Sequence, residues 1–202
     1  MHLLNSFLSR AWNKRRDQYG CASLENRARF LVQIIREIKI PLGRDHPVTT
    51  LINGVELRIS KGITVEEAQG LAKILHYAGV DAVHVRAFGH NGFQSIGASS
   101  EGIYHSEDTK PLPKELDWSR KGKGSLLALA AAVKQVVSIP VITVGHLDPV
   151  VGETILQEGR AGFIGICKGL MADPEFASKV AAGKTDGIAP AQVVETVPGH
   201  CF

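Results

Sequence analysis

Between Ile139 and Phe176 the chain reads IPVITVGHLDPVVGETILQEGRAGFIGICKGLMADPEF, and this stretch repeats one construction twice. An apolar, β-branched run, Val141 to Val144 and then Phe163 to Ile166, predicts a strand ending in a turn with a glycine and a basic side chain. The turns are Gly145-His146 and Lys168-Gly169, and an Asp-Pro pair follows each. Asp148 and Asp173 are placed to cap helices whose first turns hold Pro149 and Pro174, where a missing N–H costs nothing. Adjacent parallel strands built this way set both turns side by side at their carboxyl ends, so backbone N–H groups and two basic side chains converge. In one unit alone, the glycine would only tighten a turn and the basic residue would be solvated. In a pair, the arrangement is that of a phosphate site.

The same alternation continues upstream. From Met1 to Cys21 the chain is polar and irregular, with a short apolar turn at Leu3 to Leu8, and reads as a long loop leading into a helix. Ser23 caps that helix, Glu25 suits its first turn, and Leu24, Ala28, Leu31, Ile35 and Ile38 form an apolar stripe that Pro41 and Gly43 end. Pro47 opens a strand through about Ile52. A loop follows, then a helix over Thr64 to Ala78 with Thr64 and Glu67 in capping-box spacing and Gly79 at its end. Val80 to Val85 is the next strand, an alanine-rich helix spans Leu126 to Val137, and Gly183 closes the last helix. Near-continuous apolar strands of this kind predict a parallel sheet covered on both faces, with helices outside.

Ala87 to Gly124 carries no sustained period of either kind. So long a loop inside a compact domain is functional or disordered, and it leaves a strand's carboxyl end, where it is placed to form a substrate wall or lid. Its His90, Tyr104 and His105 read first as solvated side chains, with chemistry as the alternative.

With 202 residues, 44% of them hydrophobic and 21% charged, the chain supports one core. A net charge of +3 is too small to imply nucleic acid, and the Lys14-Arg15-Arg16 cluster is followed at once by Asp17. No apolar run reaches membrane-spanning length. Cys21, Cys167 and Cys201 are far apart and lack C-x-x-C spacing, which argues against a disulfide framework and a zinc or iron–sulfur site, and fits a reducing cytoplasm. The start, MHLLNSFLSRAWNKRR, reads as mature sequence rather than a targeting peptide.

A complete β/α barrel takes about 250 residues. Four strand–helix alternations with a helix before the first strand therefore predict part of one, about the second half, strands 5 to 8. The rival is a small open sheet with helices on both faces, for which the chain offers no G-x-G-x-x-G turn and no acid placed for a ribose. The segment NKRRDQYGCASLENRARF resembles the N-K-R-x-D-x-Y-G-x-S-L-E-N-R-x-R-F signature of flavin-dependent oxidoreductases of the Old Yellow Enzyme type, in the 2-enoate reductase and 2,4-dienoyl-CoA reductase branch. GLMADPEF resembles that family's segment after the last barrel strand. The resemblance runs over residues 1–189, leaving 190–202 as an irregular tail. It implies a partial TIM (β/α) barrel that binds FMN and passes hydride from NAD(P)H, through the flavin, to an enoate or similar activated alkene.

Carried over by position, the resemblance places Gly145 and His146 against the FMN phosphate and Lys168 where an arginine is usual. Lysine supplies the charge without the bidentate fork. Cys167 stands where glycine is common, and Gly169 completes the second turn. Leu51 falls where relatives place a flavin-contacting arginine, so that contact is either absent or moved to Asn53. His2 occupies the position of a tyrosine proton donor but, beside the amino terminus and without its strand, is poorly held, so the catalytic residues stay unassigned. The downstream iron–sulfur cysteines are missing, and Cys201 alone cannot hold a cluster.

Two readings follow. In one, the chain is the carboxyl-terminal barrel half of an FMN oxidoreductase and is not expected to turn over enoates alone. In the other, it is a non-catalytic remnant or a subunit completing a barrel with another chain. A phosphate-binding barrel of unrelated chemistry is argued against by the NKRRDQYG and SLENRARF segments. In each flavin reading, half a barrel leaves about two inward apolar side chains per strand uncovered. The chain is expected to pair with a second copy or with a chain supplying the missing half.

Overall fold

The structure, a computed structural model, describes residues 3–57, 59–89, 124, 126–145 and 147–189. The amino-terminal stretch forms a helix where the sequence suggests only a turn: α1 (Leu3–Leu8) lies against α2 (Leu24–Leu42) and buries Asn5 and Leu8. Two polar side chains account for this. Asn5 and Ser9 reach across to a buried carboxylate on the first strand, a long-range contact that local pattern does not show.

Helix α2 begins at Ser23, whose Oγ accepts from the Asn26 amide at 3.1 Å, and it buries Ala28, Leu31 and Ile35. It carries Pro41 within its last turn rather than stopping there. The chain leaves at Gly43, with φ +85° and its N–H donating to the Lys39 carbonyl at 3.0 Å.

Strand β1 (Thr49–Leu57) runs five residues beyond the expected Ile52. The Asn53-Gly54 pair, which resembles a turn, is a β-bulge: Asn53 pairs with Arg86 and Val55 with Ala87, so Gly54 is the extra residue. A Cβ on Gly54 would lie 2.7 Å from Val85 Cγ1. The bulge puts Asn53 and Glu56, three residues apart, on the same face of the sheet.

Helix α3 (Val65–Ala78) has the full capping box, with Glu67 N–H to Thr64 Oγ1 and Thr64 N–H to Glu67 Oε2, both 3.3 Å, and it ends at left-handed Gly79. β2 (Ala82–Gly89), α4 (Leu127–Lys134), β3 (Val141–Thr143), α5 (Pro149–Gln157), β4 (Phe163–Ile164), α6 (Lys168–Ala172), α7 (Phe176–Ala181) and a 3₁₀ turn (Thr185–Gly187) follow. All residues of α4 from Leu127 to Val133 are buried, which explains its uniform apolarity.

The four strands pair in parallel in sequence order, β1-β2-β3-β4, as successive strands of one arc of a β/α barrel do. Register separates the two faces. Ile52, Val83, Val85 and Val141 lie on the outer face and join Ala68, Leu71, Leu75 and Leu129 in the main core. Leu51, His84, Ile142 and Phe163 align in one row across the inner face. That face is open, with Leu51 45% and Phe163 55% exposed, so the expectation of strands covered on both sides holds only for the helical side.

Candidate functional site

The strand exits define the first part of the site. Thr143 pairs with Ile164, and the Gly165 amide donates to the Thr143 carbonyl at 2.7 Å, so β3 and β4 release the chain side by side. Gly145 then adopts φ +110°, where a side chain would strain the backbone. A Cβ on Gly165 would sit 2.6 Å from Val144 Cγ1, so the closeness of the two exits requires glycine there. Asp148 caps α5 as its spacing predicts, accepting from the Val151 amide at 2.8 Å.

The second exit differs from the sequence expectation. Lys168 and Gly169 open the short helix α6 instead of forming the turn, which consists of Gly165 to Cys167. The amides of Lys168, Gly169 and Leu170 form the first turn of α6 and have no acceptor within it. Gly169 is required by packing, since a Cβ would approach the Phe176 ring to 2.8 Å. Cys167 is exposed, with Sγ 3.9 Å from Met171 Sδ, and Lys168 is exposed beside it. The Gly124 amide donates to the Gly145 carbonyl at 3.0 Å, fixing the end of the long connecting segment to the first exit.

Asp173 does not cap a helix that starts at Pro174. It ends α6, and its carboxylate accepts from Lys179 Nζ at 2.8 Å, the Glu175 amide at 2.9 Å and the Ala189 amide at 3.0 Å. Three donors converge on one buried carboxylate, so the chain turns back before α7 begins. The Lys179 ammonium, followed by the Ala189 amide, holds this carboxyl below its ordinary value. A lowered folded-state value means that stability is present above the unfolded value, about 3.9, and is lost as pH falls through the folded one. Protection factors of the amides across Phe176–Ala181 should therefore fall on acidification below about pH 4. In Asp173→Asn they should already be low at neutral pH. Unchanged protection in that variant would remove Asp173 from this role.

The second part of the site lies on the inner face. Glu56, 1% exposed, accepts from Asn5 Nδ2, Asn53 Nδ2 and the Ile63 amide, each at 3.0 Å, and from Ser9 Oγ. Asn53, also 1% exposed, engages both ends of its amide: Nδ2 donates to Glu56 and to Asn5 Oδ1, and Oδ1 accepts from Arg86 Nε at 3.0 Å. Burial holds the Arg86 guanidinium below its ordinary value, opposed by the Glu56 charge. Burial, with the Arg86 charge second, lowers His84 and keeps that imidazole neutral near pH 7.

Of the residues picked from sequence, Gly145, Cys167, Lys168 and Gly169 lie at the paired exits, and Asn53 lies on the inner face of β1. His146, with His2, His90, Tyr104, His105 and the 190–202 tail, is outside the described residues. Glu56 and Arg86 were missed. A period-two signal was there: in VHVRA, His84 and Arg86 alternate with Val83, Val85 and Ala87. Among the described residues there is no cluster of three or more His, Cys, Asp or Glu side chains able to hold a metal ion, and no helix long and apolar enough to cross a membrane.

Comparison with known proteins bears on this arrangement. The model of the NADH:flavin oxidoreductase / NADH oxidase family matches residues 1–187. An NADH oxidase of Thermoanaerobacter brockii is 39% identical over 188 residues, covering 93% of this chain and 26% of that protein. A cinnamate reductase of Clostridium sporogenes is 31% identical over 204 residues, covering 94% of this chain and 28% of that protein. Among solved structures, a 2-naphthoyl-CoA reductase in complex with 2-naphthoyl-CoA superposes with a TM-score of 0.75 at 30% identity, over 93% of this chain and 26% of that one. The chain thus spans about a quarter of the length of these relatives.

Proposed function

We propose a function from the premise that this chain belongs to the NADH:flavin oxidoreductase / NADH oxidase family. It supplies the part of a flavin-binding β/α barrel that holds the FMN phosphate, in an enzyme that moves hydride from NAD(P)H to an activated alkene. The observation that carries this reading is the paired exit of β3 and β4. Gly145 at φ +110° and Gly165, where a Cβ would meet Val144, let the two exits run close together, and the first-turn amides of α6 beside them are donors for an anion. The residues present fit a phosphate monoester.

Gly145 offers backbone close to the ligand, and Lys168 supplies positive charge at the rim of this anion cradle. His146 adds a second basic side chain next in sequence. Asn53, through Arg86, serves the ring end, and Cys167 and Gly169 shape the wall beside Lys168. FMN, when bound, would supply the hydride-accepting and hydride-donating centre. A cinnamate reductase among the relatives supports an α,β-unsaturated acid as the acceptor class.

The test is calorimetric titration of FMN into the chain and into Lys168→Ala. An exposed charged contact contributes at the low end of about 1.5–3 kcal/mol, so the substitution should weaken FMN about tenfold and leave riboflavin, which lacks the phosphate, unchanged. Equal FMN affinity in the two proteins would remove Lys168 from the cradle.

A second reading is favoured by the exposure of Leu51 and Phe163 on the inner face. The chain then acts as a barrel-completing partner, pairing with a second copy or with another chain of a flavin oxidoreductase.

A further inference from the structure

The inner face holds one cation whose hydrogen-bonding capacity the fold leaves mostly unused. Arg86 is half-buried, and among the described residues its single hydrogen bond runs from Nε to Asn53 Oδ1 at 3.0 Å. A guanidinium has five N–H donors, so four remain. Glu56 does not neutralise it directly, because that carboxylate is already occupied by Asn5, Ser9, Asn53 and the Ile63 amide.

These contacts also set the direction of Arg86. A carboxylate only accepts, so Glu56 takes the Asn53 NH₂ and forces the amide oxygen toward the guanidinium. Asn5 Oδ1, a second acceptor on the same NH₂, blocks the flipped amide. Asn53 is thereby locked, and Arg86, beside it, keeps donors for a ligand.

Position indicates which part of a ligand it meets. Arg86 lies on β2, one residue beyond Val85 on a strand adjoining β3, whereas the phosphate cradle is at the ends of β3 and β4. Strands are about 4.8 Å apart, which puts Arg86 about one to two strand spacings sideways from the cradle, on the face that the barrel encloses. A ligand anchored by its phosphate at the cradle must extend along this face toward β2 and β1.

We infer that Arg86 is a flavin-ring contact: its guanidinium donates to the carbonyl-rich pyrimidine edge of the isoalloxazine, with Asn53 and Glu56 as the positioning residues that aim it. This rests on the FMN reading above. It assigns Arg86 to the ring, whereas Lys168 belongs to the phosphate.

The two contacts separate by titrating both FMN and riboflavin. Arg86→Gln removes the charge, and Arg86→Lys keeps the charge without the fork, so the pair remains informative if either folds poorly. Arg86→Gln should weaken FMN and riboflavin by the same factor, about tenfold, with Arg86→Lys intermediate. The midpoint potential of bound flavin should fall in Arg86→Gln, because a cation beside the ring favours the reduced, more negative form. Unchanged flavin affinity in Arg86→Gln, or weakening confined to FMN, overturns the ring assignment while leaving the phosphate cradle standing. Failure of the wild-type chain to bind either flavin overturns both.

Discussion

Glu56→Ala is expected to destabilise the chain by about 3–5 kcal/mol, the cost typical of removing one side of a buried charged network. Three donors lose their acceptor at once, Asn5 Nδ2, Ser9 Oγ and the Ile63 amide, and a fourth, Asn53 Nδ2, keeps only Asn5 Oδ1. Each lies in a buried setting, where an unsatisfied polar group costs about 1–3 kcal/mol. The effect is not confined to the strand. Glu56 is the point at which α1, the bulge in β1 and the connection into α3 meet, and Arg27 and Arg10 on Glu67 extend the same polar layer toward α2. Against a typical domain stability of about 5–15 kcal/mol, this is a large fraction. Urea denaturation should show the midpoint falling steeply in Glu56→Ala and by less in Glu56→Gln, which keeps one acceptor oxygen. A loss below about 1 kcal/mol in the alanine variant would mean that the donors find other partners and the network is not structural.

Those residues also mark where sequence reading stops. The helices were legible because their signals are local: Ser23, Thr64 with Glu67, and Asp148 all cap as their spacing predicts. Parallel order was legible too, since apolar strands alternate with helices and adjacent strands in the chain are adjacent in the sheet. The upper half of β1 was not. Asn53-Gly54 has the composition of a turn, and only the close packing of Gly54 against Val85 and Leu129 makes it a bulge inside a strand. The α1 helix and Glu56 were hidden for a related reason: their contacts join residues 47 to 51 positions apart. At the second exit, the Asp-Pro pair looked identical to the first. Asp148 caps its helix, whereas Asp173 is drawn to Lys179 and the Ala189 amide, which no local pattern announces.

The second large effect is association. The sequence expectation of about two uncovered apolar side chains per strand is too high. Register places His84, Asn53, Arg86 and Gly165 among the inward positions, and the exposed apolar surface comes mainly from the row of Leu51, Ile142 and Phe163. Full burial of such side chains is worth about 1.5–3 kcal/mol each. Leu51 and Phe163 are 45% and 55% exposed and Ile142 is partly buried, so covering this row would recover roughly 2–4 kcal/mol per chain. Parallel β/α strands are otherwise found with both faces covered, which adds a structural reason for the inner face to find a partner. Of the two edge strands, β4 offers only two residues for pairing and β1 offers nine, so any edge contact would use β1, while the exposed apolar row marks the face as the surface that gains most from cover.

Size-exclusion chromatography with light scattering on the pure, dilute chain tests this most directly. The open inner face predicts a mass above that of the 21.8 kDa monomer, in a concentration-dependent equilibrium that Leu51→Ser combined with Phe163→Ser shifts toward monomer. A monodisperse 21.8 kDa monomer with a cooperative melt at every concentration would contradict it, because the inner face would then need no cover.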